Sequence, residues 1–264
     1  MLSLAPSGSE AARFVRSFKP RGQCLPRGGC PCRRRGAGIW FPPAQAGHEG
    51  STIPTAEAAS LPHSTPGAHG DILSNPAKAQ LRREAQIRRR KLHETIGAAA
   101  ADAFLDHGLR ALEALPGSVI AGYWPIRSEP DIRPLLTALL ERGREIVLPI
   151  VVGPGLALKF RQWTPDDDLV PGPLGTATPG SDRQECRPDI MLVPMLAFDR
   201  TKYRLGYGGG FYDRTIAGFR EARHKFIAIG IAYAGLEIAE LPKDPWDQPL
   251  DAILTEQGLL GEIS

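Results

Sequence analysis

The stretch Ile190-Met191-Leu192-Val193-Pro194-Met195-Leu196-Ala197-Phe198 is followed shortly by Arg204-Leu205-Gly206-Tyr207-Gly208-Gly209-Gly210-Phe211-Tyr212-Asp213-Arg214. The apolar run predicts a buried strand, and the segment from Phe211 onward can open a helix. The glycines between them suit neither element, because glycine loses the most backbone freedom on ordering. They predict a loop of uncovered N–H groups before a helix N-terminus, an arrangement that binds phosphate.

Charged side chains surround this glycine loop. Arg204 and Arg214 flank it with positive charge, and the carboxylate of Asp213 is a hard ligand suited to a divalent metal. The loop lacks the GxxxxGK[ST] pattern, and Phe211 occupies the place of the third glycine in the dinucleotide pattern GxGxxG. By itself, therefore, the loop predicts a general anion site.

Short apolar segments alternate with helical patterns along the rest of the chain. Strands are predicted at 119–124, 145–150, 156–163, 190–193, 226–232 and 251–255, and helices at 76–92, 95–115, 132–141 and 212–223. Alternation with fully apolar strands is typical of α/β proteins. We expect a mostly parallel sheet with helices on both faces.

The domain organisation follows from composition. Residues 1–70 are rich in Pro, Gly, Ser, Ala and Arg and lack apolar periodicity, which predicts a disordered extension. A targeting segment and a mis-assigned start codon remain alternatives for them. Residues 74–264 are predicted to form one catalytic domain, beginning where Asn75 can cap a helix that has Pro76 at its first position.

Composition also limits which binding partners and which cellular compartment we expect for the protein. A net charge of +3 is too mild to indicate nucleic-acid binding. No apolar run approaches the roughly 20 residues of a bilayer span. Three of the four cysteines precede residue 33, which argues against a disulfide-stapled secreted domain. We expect a cytoplasmic monomer that binds neither nucleic acid nor membrane.

Three segments should meet at one edge of the sheet, because ligands of open parallel sheets lie beyond the carboxyl ends of the strands. They are residues 124–129, the glycine loop, and residues 241–251. Near the start of the first helix, Lys78 and Arg82 are four residues apart and share a face. Taken alone, that spacing is typical of a solvated basic face.

Several of these segments resemble one enzyme family. Residues 193–199 and 204–213 closely resemble 5-formyltetrahydrofolate cyclo-ligases, also called 5,10-methenyltetrahydrofolate synthetases. The resemblance extends in order over about residues 76–256 and includes 78–82, 124–129 and the stretch from Leu241 to Asp251. It implies a sugar-isomerase and CoA-transferase-like three-layer α/β/α sandwich.

The resemblance also implies roles for individual residues. It implies ATP binding by Lys78, Ala79, Gln80, Leu81, Arg82, Arg204, Leu205, Gly206, Tyr207, Gly208, Gly209, Gly210, Phe211 and Tyr212. It implies folate binding by Arg82, Trp124, Glu129, Tyr207, Gly208, Gly209, Gly210 and Phe211. Asp213 and Asp247 match magnesium carboxylates. Lys78, Arg82 and Arg204 match catalytic residues that stabilise phosphate charge, with no dedicated nucleophile.

The implied reaction is the ATP- and Mg²⁺-dependent cyclisation of 5-formyltetrahydrofolate, with or without a polyglutamate tail. The products are 5,10-methenyltetrahydrofolate, ADP and phosphate, formed by phosphorylation of the formyl oxygen and attack by N10. One alternative is an isomerase or CoA transferase of the same fold, acting on a sugar phosphate or CoA ester without ATP. Another is an RNA-binding protein that uses residues 82–91 together with the basic N-terminal segment.

Overall fold

A computed structural model describes residues 75–263 of the chain. The helices are α1 (Pro76–Glu113), α2 (Arg133–Glu141) and α3 (Phe211–Glu221). The strands are β1 (Val119–Ala121), β2 (Glu145–Ile150), β3 (Lys159–Gln162), β4 (Val170–Pro171), β5 (Ala177–Thr178), β6 (Ile190–Pro194), β7 (Ala197–Phe198), β8 (Arg204–Leu205), β9 (Ile227–Ile231), β10 (Ala252–Thr255) and β11 (Gly258–Leu260). Short 3-10 turns lie at Pro173–Gly175 and Ala234–Leu236. The predicted extension at residues 1–70 lies outside the described residues.

Seven strands form the central sheet in the order β11-β10-β9-β6-β1-β2-β3. The five inner strands pair in parallel, and β3 and β11 pair antiparallel at the two edges. The inner strands are almost wholly buried, since parallel strands are covered on both faces. The predicted mostly parallel sheet is confirmed.

The helices lie on both faces of this sheet. The chain runs from β1 through α2 to β2 on one side, and from β6 through α3 to β9 on the other. Because such crossovers are right-handed, connections that run in opposite directions place their helices on opposite faces. The direction in which successive strands are added therefore reverses between β1 and β6, and the carboxyl ends of strands at such a topological switch point are where open parallel sheets bind ligands.

The N-terminal helix differs from the prediction. Two helices were expected at 76–92 and 95–115, but α1 is continuous over 38 residues. Thr95 lies inside the helix, and its hydroxyl faces the carbonyls of Lys91 (2.9 Å) and Leu92 (3.1 Å) in the preceding turn instead of capping a new helix. Within residues 75–263, no helix combines the length and the apolar composition required for a bilayer span.

The connection into the glycine loop also differs from the prediction. Strand β6 ends at Pro194, and the antiparallel pair β7–β8 then intervenes before the glycines. The loop thus emerges from a small hairpin rather than directly from a central strand. The edge strand β11 and the pair β4–β5 were not predicted, because two- and three-residue strands carry too few positions for a periodic pattern.

Candidate active site

The glycine loop is exposed and ends at the N-terminus of α3. Gly208 (φ +100°) and Gly210 (φ +63°) adopt left-handed backbone that disfavours residues with a Cβ. Gly210 is the N-cap residue of α3, and no side chain caps the helix there. The glycines therefore precede a helix N-terminus, as predicted, and among the described residues no side chain caps the first-turn N–H groups that could bind an anion.

The start of α1 is held against this loop. A small apolar cluster joins the helix to the β7–β8 hairpin and the 241–251 segment; its members are Leu81, Ala85, Leu196, Ala197, Tyr203, Leu205, Ile238 and Leu241. Arg82 Nε donates to the Gly206 carbonyl at 3.0 Å. Among residues 75–263, Arg82 forms no ion pair, so its positive charge beside the glycines is not neutralised.

Lys78 is buried rather than solvated. Its Nζ lies 2.6 Å from Asp244 Oδ2 and 2.5 Å from Asp247 Oδ2, and its side chain is 7% exposed. The Asp244 backbone N–H also donates to Asp247 Oδ2 at 2.8 Å. One predicted phosphate ligand, Lys78, is thus paired with one predicted metal ligand, Asp247, and does not belong to the solvated basic face that its spacing alone would indicate.

The other predicted metal ligand has a cationic partner as well. Arg204 Nη2 donates to Asp213 Oδ1 at 2.7 Å, and the Arg204 side chain is 4% exposed. The backbone of Gln248 joins the pair: its N–H donates to Asp213 Oδ1 (3.1 Å), and its carbonyl accepts from Arg204 Nη1 (2.9 Å). The 241–251 segment therefore contacts the glycine-loop region, as predicted.

The donor set suits a magnesium ion that is shared with phosphate. Asp213 uses Oδ1 and Asp247 uses Oδ2 in their contacts, which leaves one oxygen of each carboxylate for a cation. Within residues 75–263, no three His, Cys, Asp or Glu side chains form a cluster that could hold a metal by themselves. One or two carboxylates that supplement phosphate oxygens and water are the usual magnesium arrangement.

Glu129 links the carboxyl end of β1 to the glycine loop. Its Oε1 accepts from the Tyr207 hydroxyl at 3.0 Å, and its Oε2 accepts from the Ile126 N–H at 3.0 Å. Arg89 approaches from α1: Nη2 donates to the Tyr207 hydroxyl at 2.5 Å, and Nη1 lies 3.6 Å from Glu129 Oε1. Two predicted folate-binding residues, Glu129 and Tyr207, thus meet directly at the switch point.

Burial raises the pKa values of both Glu129 and Tyr207. Glu129 is 3% exposed, and desolvation raises the pKa of its carboxyl above the ordinary value, while the Ile126 N–H and the Arg89 charge oppose that rise. Burial also raises the pKa of Tyr207 to about 12, assisted by the neighbouring carboxylate. Tyr207 is therefore a neutral hydrogen-bond donor throughout the physiological range.

The remaining predicted residues have mixed environments. Trp124 packs edge-on against Trp163 with ring centroids 5.6 Å apart, and no ring contact or hydrogen bond among residues 75–263 joins it to the glycine loop. Gln80 bonds to Glu84 on the exposed side of α1. The side chains of Leu81 and Leu205 pack in the apolar cluster, and Phe211 and Tyr212 pack against the main core.

Arg89 and Asp244 were not predicted as site residues. A signal for Arg89 was present, because positions 78, 82, 85 and 89 follow the spacing i, i+4, i+7 and i+11 and so share one helix face. Ala85 on that face is buried, which indicates that its neighbours point inward. Asp244 carried no comparable signal, because it lies in an irregular segment.

The fold and the site together define an α/β protein in which an exposed glycine loop, at a helix N-terminus, lies beside paired cation–carboxylate groups. The family model for 5-formyltetrahydrofolate cyclo-ligases matches residues 74–256. The chain belongs to the 5-formyltetrahydrofolate cyclo-ligase family, and the resemblance seen in the sequence is confirmed.

Individual relatives agree with this assignment. The chain is 30% identical over 188 residues to a 5-formyltetrahydrofolate cyclo-ligase of Haemophilus influenzae, covering 69% of this chain and 99% of that protein. It is 32% identical over 191 residues to the Mycolicibacterium smegmatis protein of the same name, covering 69% and 95%. The solution structure of Aquifex aeolicus 5,10-methenyltetrahydrofolate synthetase is similar with a TM-score of 0.58 and 30% identity, covering 69% of this chain and 91% of that one.

Proposed function

We propose that this protein catalyses the ATP- and Mg²⁺-dependent cyclisation of 5-formyltetrahydrofolate to 5,10-methenyltetrahydrofolate, with release of ADP and phosphate. The observation that carries the proposal is the 3.0 Å hydrogen bond from Tyr207 to Glu129, in a chain of the cyclo-ligase family. This contact joins the glycine loop, which suits the nucleotide, to the buried carboxylate, which suits the folate. The two substrates would therefore meet at the switch point.

In this proposal, residues of α1 and of the glycine loop bind the nucleotide. When bound, ATP provides the phosphoryl group that activates the formyl oxygen, and Mg²⁺ neutralises phosphate charge. Arg82 has no carboxylate partner among residues 75–263 and lies against the loop, so it can contact a phosphate without losing an ion pair. Lys78 and Arg204 are held by the two carboxylates that we assign to the metal, which keeps both cations beside the phosphates.

The folate end is supplied by the segment after β1. Each carboxylate oxygen of Glu129 accepts one protein hydrogen bond and has further acceptor capacity. That capacity suits the N–H groups of a pterin ring. Trp124 is half-buried and would add an aromatic wall.

The chemical steps then require positioning more than a nucleophilic side chain. The formyl oxygen attacks the γ-phosphorus, its bond to phosphorus forms, and ADP leaves. N10 next attacks the activated formyl carbon, the carbon–oxygen bond breaks, phosphate leaves and N10 loses its proton. Residues Lys78, Arg82 and Arg204 would stabilise the charge on the transferred phosphoryl group.

The direct test is the absorbance rise of methenyl-folate from 5-formyltetrahydrofolate, with and without MgATP. We expect product only when both ATP and magnesium are present. Product without ATP would contradict the proposed chemistry. No folate turnover, combined with activity on a sugar phosphate or a CoA ester, would favour the alternative enzyme class.

The magnesium assignment is tested by Asp213→Asn, because alanine would leave the buried Arg204 without a partner and confound the result with unfolding. We expect turnover to fall at least about 100-fold, in line with the loss of electrostatic stabilisation at a reacting phosphate. The exposed Asp168→Asn serves as a matched control. Wild-type activity in Asp213→Asn, with magnesium still required, would contradict the assignment.

We also propose the simplest setting for this enzyme, which is a monomer in the cytoplasm. Light scattering of the purified protein at several concentrations tests the first statement. Microscopy of a tagged full-length chain tests the second. Dimers at all concentrations, or an organellar signal, would overturn the respective statement.

A further inference from the structure

Arg89 is buried more completely than its chemistry favours. It is the largest fully buried side chain among residues 75–263, with 1% exposure. A buried guanidinium is costly unless hydrogen bonds and a close counter-charge compensate it. The nearest carboxylate oxygen, Glu129 Oε1, lies 3.6 Å from Nη1, and Nη1 forms no hydrogen bond among the described residues. Among the described residues, the burial of Arg89 is therefore not explained by a close ion pair.

The contacts of Arg89 join three separate parts of the chain. The residue lies on α1, its Nε donates to Ser128 Oγ at 3.2 Å, and its Nη2 donates to the Tyr207 hydroxyl at 2.5 Å. The guanidinium also lies 5.4 Å from the Tyr207 ring centroid. Helix α1, the segment after β1 and the glycine loop are thus connected through one side chain.

The direction of these hydrogen bonds is fixed by chemistry. Arginine can only donate, so the Tyr207 oxygen accepts from Arg89 and its own proton is directed to Glu129. The Ile126 N–H donates to the other Glu129 oxygen. Both hydrogen bonds of the Glu129 side chain among the described residues therefore use it as an acceptor, and the ionised carboxylate, which only accepts, fills that role best.

We propose that Arg89 is a positioning residue that keeps Glu129 as a carboxylate and holds Tyr207, and with it the glycine loop, against that carboxylate. The inference rests on the proposed function in so far as Glu129 is the folate contact. Glu129 then offers only acceptors to the substrate. Arg89 itself lies behind Tyr207 and Glu129 and acts through them.

Among residues 75–263, Arg89 is the cation of the ionisable groups that face Glu129. The others are three tyrosines: Tyr207 from the glycine loop, Tyr123 from the end of β1 and Tyr212 from α3. Burial raises the pKa of each tyrosine, so all three are neutral when Glu129 titrates. The charge that opposes desolvation of the carboxylate thus comes from Arg89.

A titration of Glu129 tests this role without any need for turnover. The full-length protein is labelled with ¹³C at the glutamate side-chain carboxyls, and the Glu129 signal is assigned by its loss in Glu129→Gln. In Arg89→Met we expect the titration midpoint to rise by about one pH unit or more, the usual effect of removing an opposite charge at this distance. The exposed neighbour Arg88→Met is the control and should leave the midpoint unchanged. An unchanged midpoint in Arg89→Met overturns the proposal.

A double-mutant cycle tests whether Arg89 acts through Glu129. We expect kcat/KM for the folate to fall in Arg89→Met and in Glu129→Gln, and the double variant to lose little beyond the larger single loss. Losses that simply multiply would overturn the proposal. If the wild-type protein forms no methenyl product, the proposed function fails, whereas an unchanged midpoint in the NMR titration defeats only the role of Arg89.

The conservative variant keeps the test decisive if Arg89→Met does not fold. Arg89→Lys preserves the charge but not the planar fork that reaches Tyr207 and Ser128 together. We expect a smaller midpoint shift than in Arg89→Met, together with a fall of about tenfold or more in kcat/KM, as for a lost hydrogen bond to a charged group. Wild-type kcat/KM in Arg89→Lys would overturn the positioning role.

Discussion

Gly208 is the position where the glycine loop can be perturbed most cleanly. Its φ of +100° is accessible to glycine but strained for alanine. A Cβ built there would lie 3.3 Å from Arg82 Cζ and 3.4 Å from Arg82 Nη2. Gly208→Ala therefore combines backbone strain with displacement of the guanidinium that we place at the phosphates.

The expected cost follows from this geometry. A left-handed backbone costs an L-residue about 1–2 kcal/mol, and moving the guanidinium weakens its 3.0 Å contact with the Gly206 carbonyl. If the loop keeps its conformation, the cost lowers the free energy of unfolding. If the loop relaxes in the free enzyme, the cost lowers kcat/KM for ATP by about 5–30-fold, because binding must restore the conformation. The two losses together should amount to about 1–2 kcal/mol.

The assay pairs urea unfolding with steady-state kinetics on ATP. The matched control is Gly218→Ala on the exposed side of α3, outside the assigned site, because a Cβ at that position meets nothing within 4 Å and the backbone is not left-handed. We expect the control to lose little in either measurement. Equal behaviour of the two variants would refute the reasoning, since it would show that neither the backbone of Gly208 nor its approach to Arg82 matters.

Three further outcomes are expected. Burial raises the pKa of Glu129 above its ordinary value of 4.5, so the unfolded chain loses this proton at a lower pH than the folded chain does. The free energy of unfolding should therefore fall as the pH rises from about 4.5 through the pKa of the folded state. Glu129→Gln should remove this pH dependence in urea unfolding, and an unchanged pH dependence would contradict the shift. A Cβ at Gly230 would lie 1.8 Å from Met195 Cε, so Gly230→Ala should cost about 1–3 kcal/mol or more in thermal unfolding; Met195→Ala should recover part of that loss, and strictly additive losses would contradict the clash. Deletion of residues 1–70 should leave the specific activity intact, and a soluble but inactive truncation would count against placing catalysis in 74–264.

The sheet was predictable because its signal is local. Buried parallel strands are continuous apolar runs, so 145–150 was predicted with the bounds that β2 has in the structure. The single helix α1 was not predicted, because the polar residues around Thr95 are typical of a cap as well as of an exposed helix face. The β7–β8 hairpin has only two residues in each strand, too few for a period to be visible.

The sequence indicated which residues belong to the site, but not which of them pair with one another. Sequence spacing placed Lys78 and Arg82 on one face, yet only the fold shows that Lys78 is paired with Asp247 across 169 positions. The structure likewise turns Arg89 inward, which removes it from the basic surface that the RNA-binding alternative requires. Such pairings depend on tertiary contacts, and no local pattern encodes them.

The continuity of α1 has a consequence for the spacing of the two substrates. Lys78 and Arg89 are separated by about three helical turns, or roughly 16 Å along one rigid rod. The helix thus fixes the distance between Lys78, which we assign to the phosphates, and Arg89, which contacts Tyr207 and Glu129. One residue inserted between the two positions would turn Arg89 by about 100° away from Tyr207, and a two-turn insertion would restore the direction while moving Arg89 about 10 Å along the helix. If the proposed function holds, the length of this helical segment would fix the distance between the phosphate contacts of Lys78 and the contact of Arg89 with Tyr207.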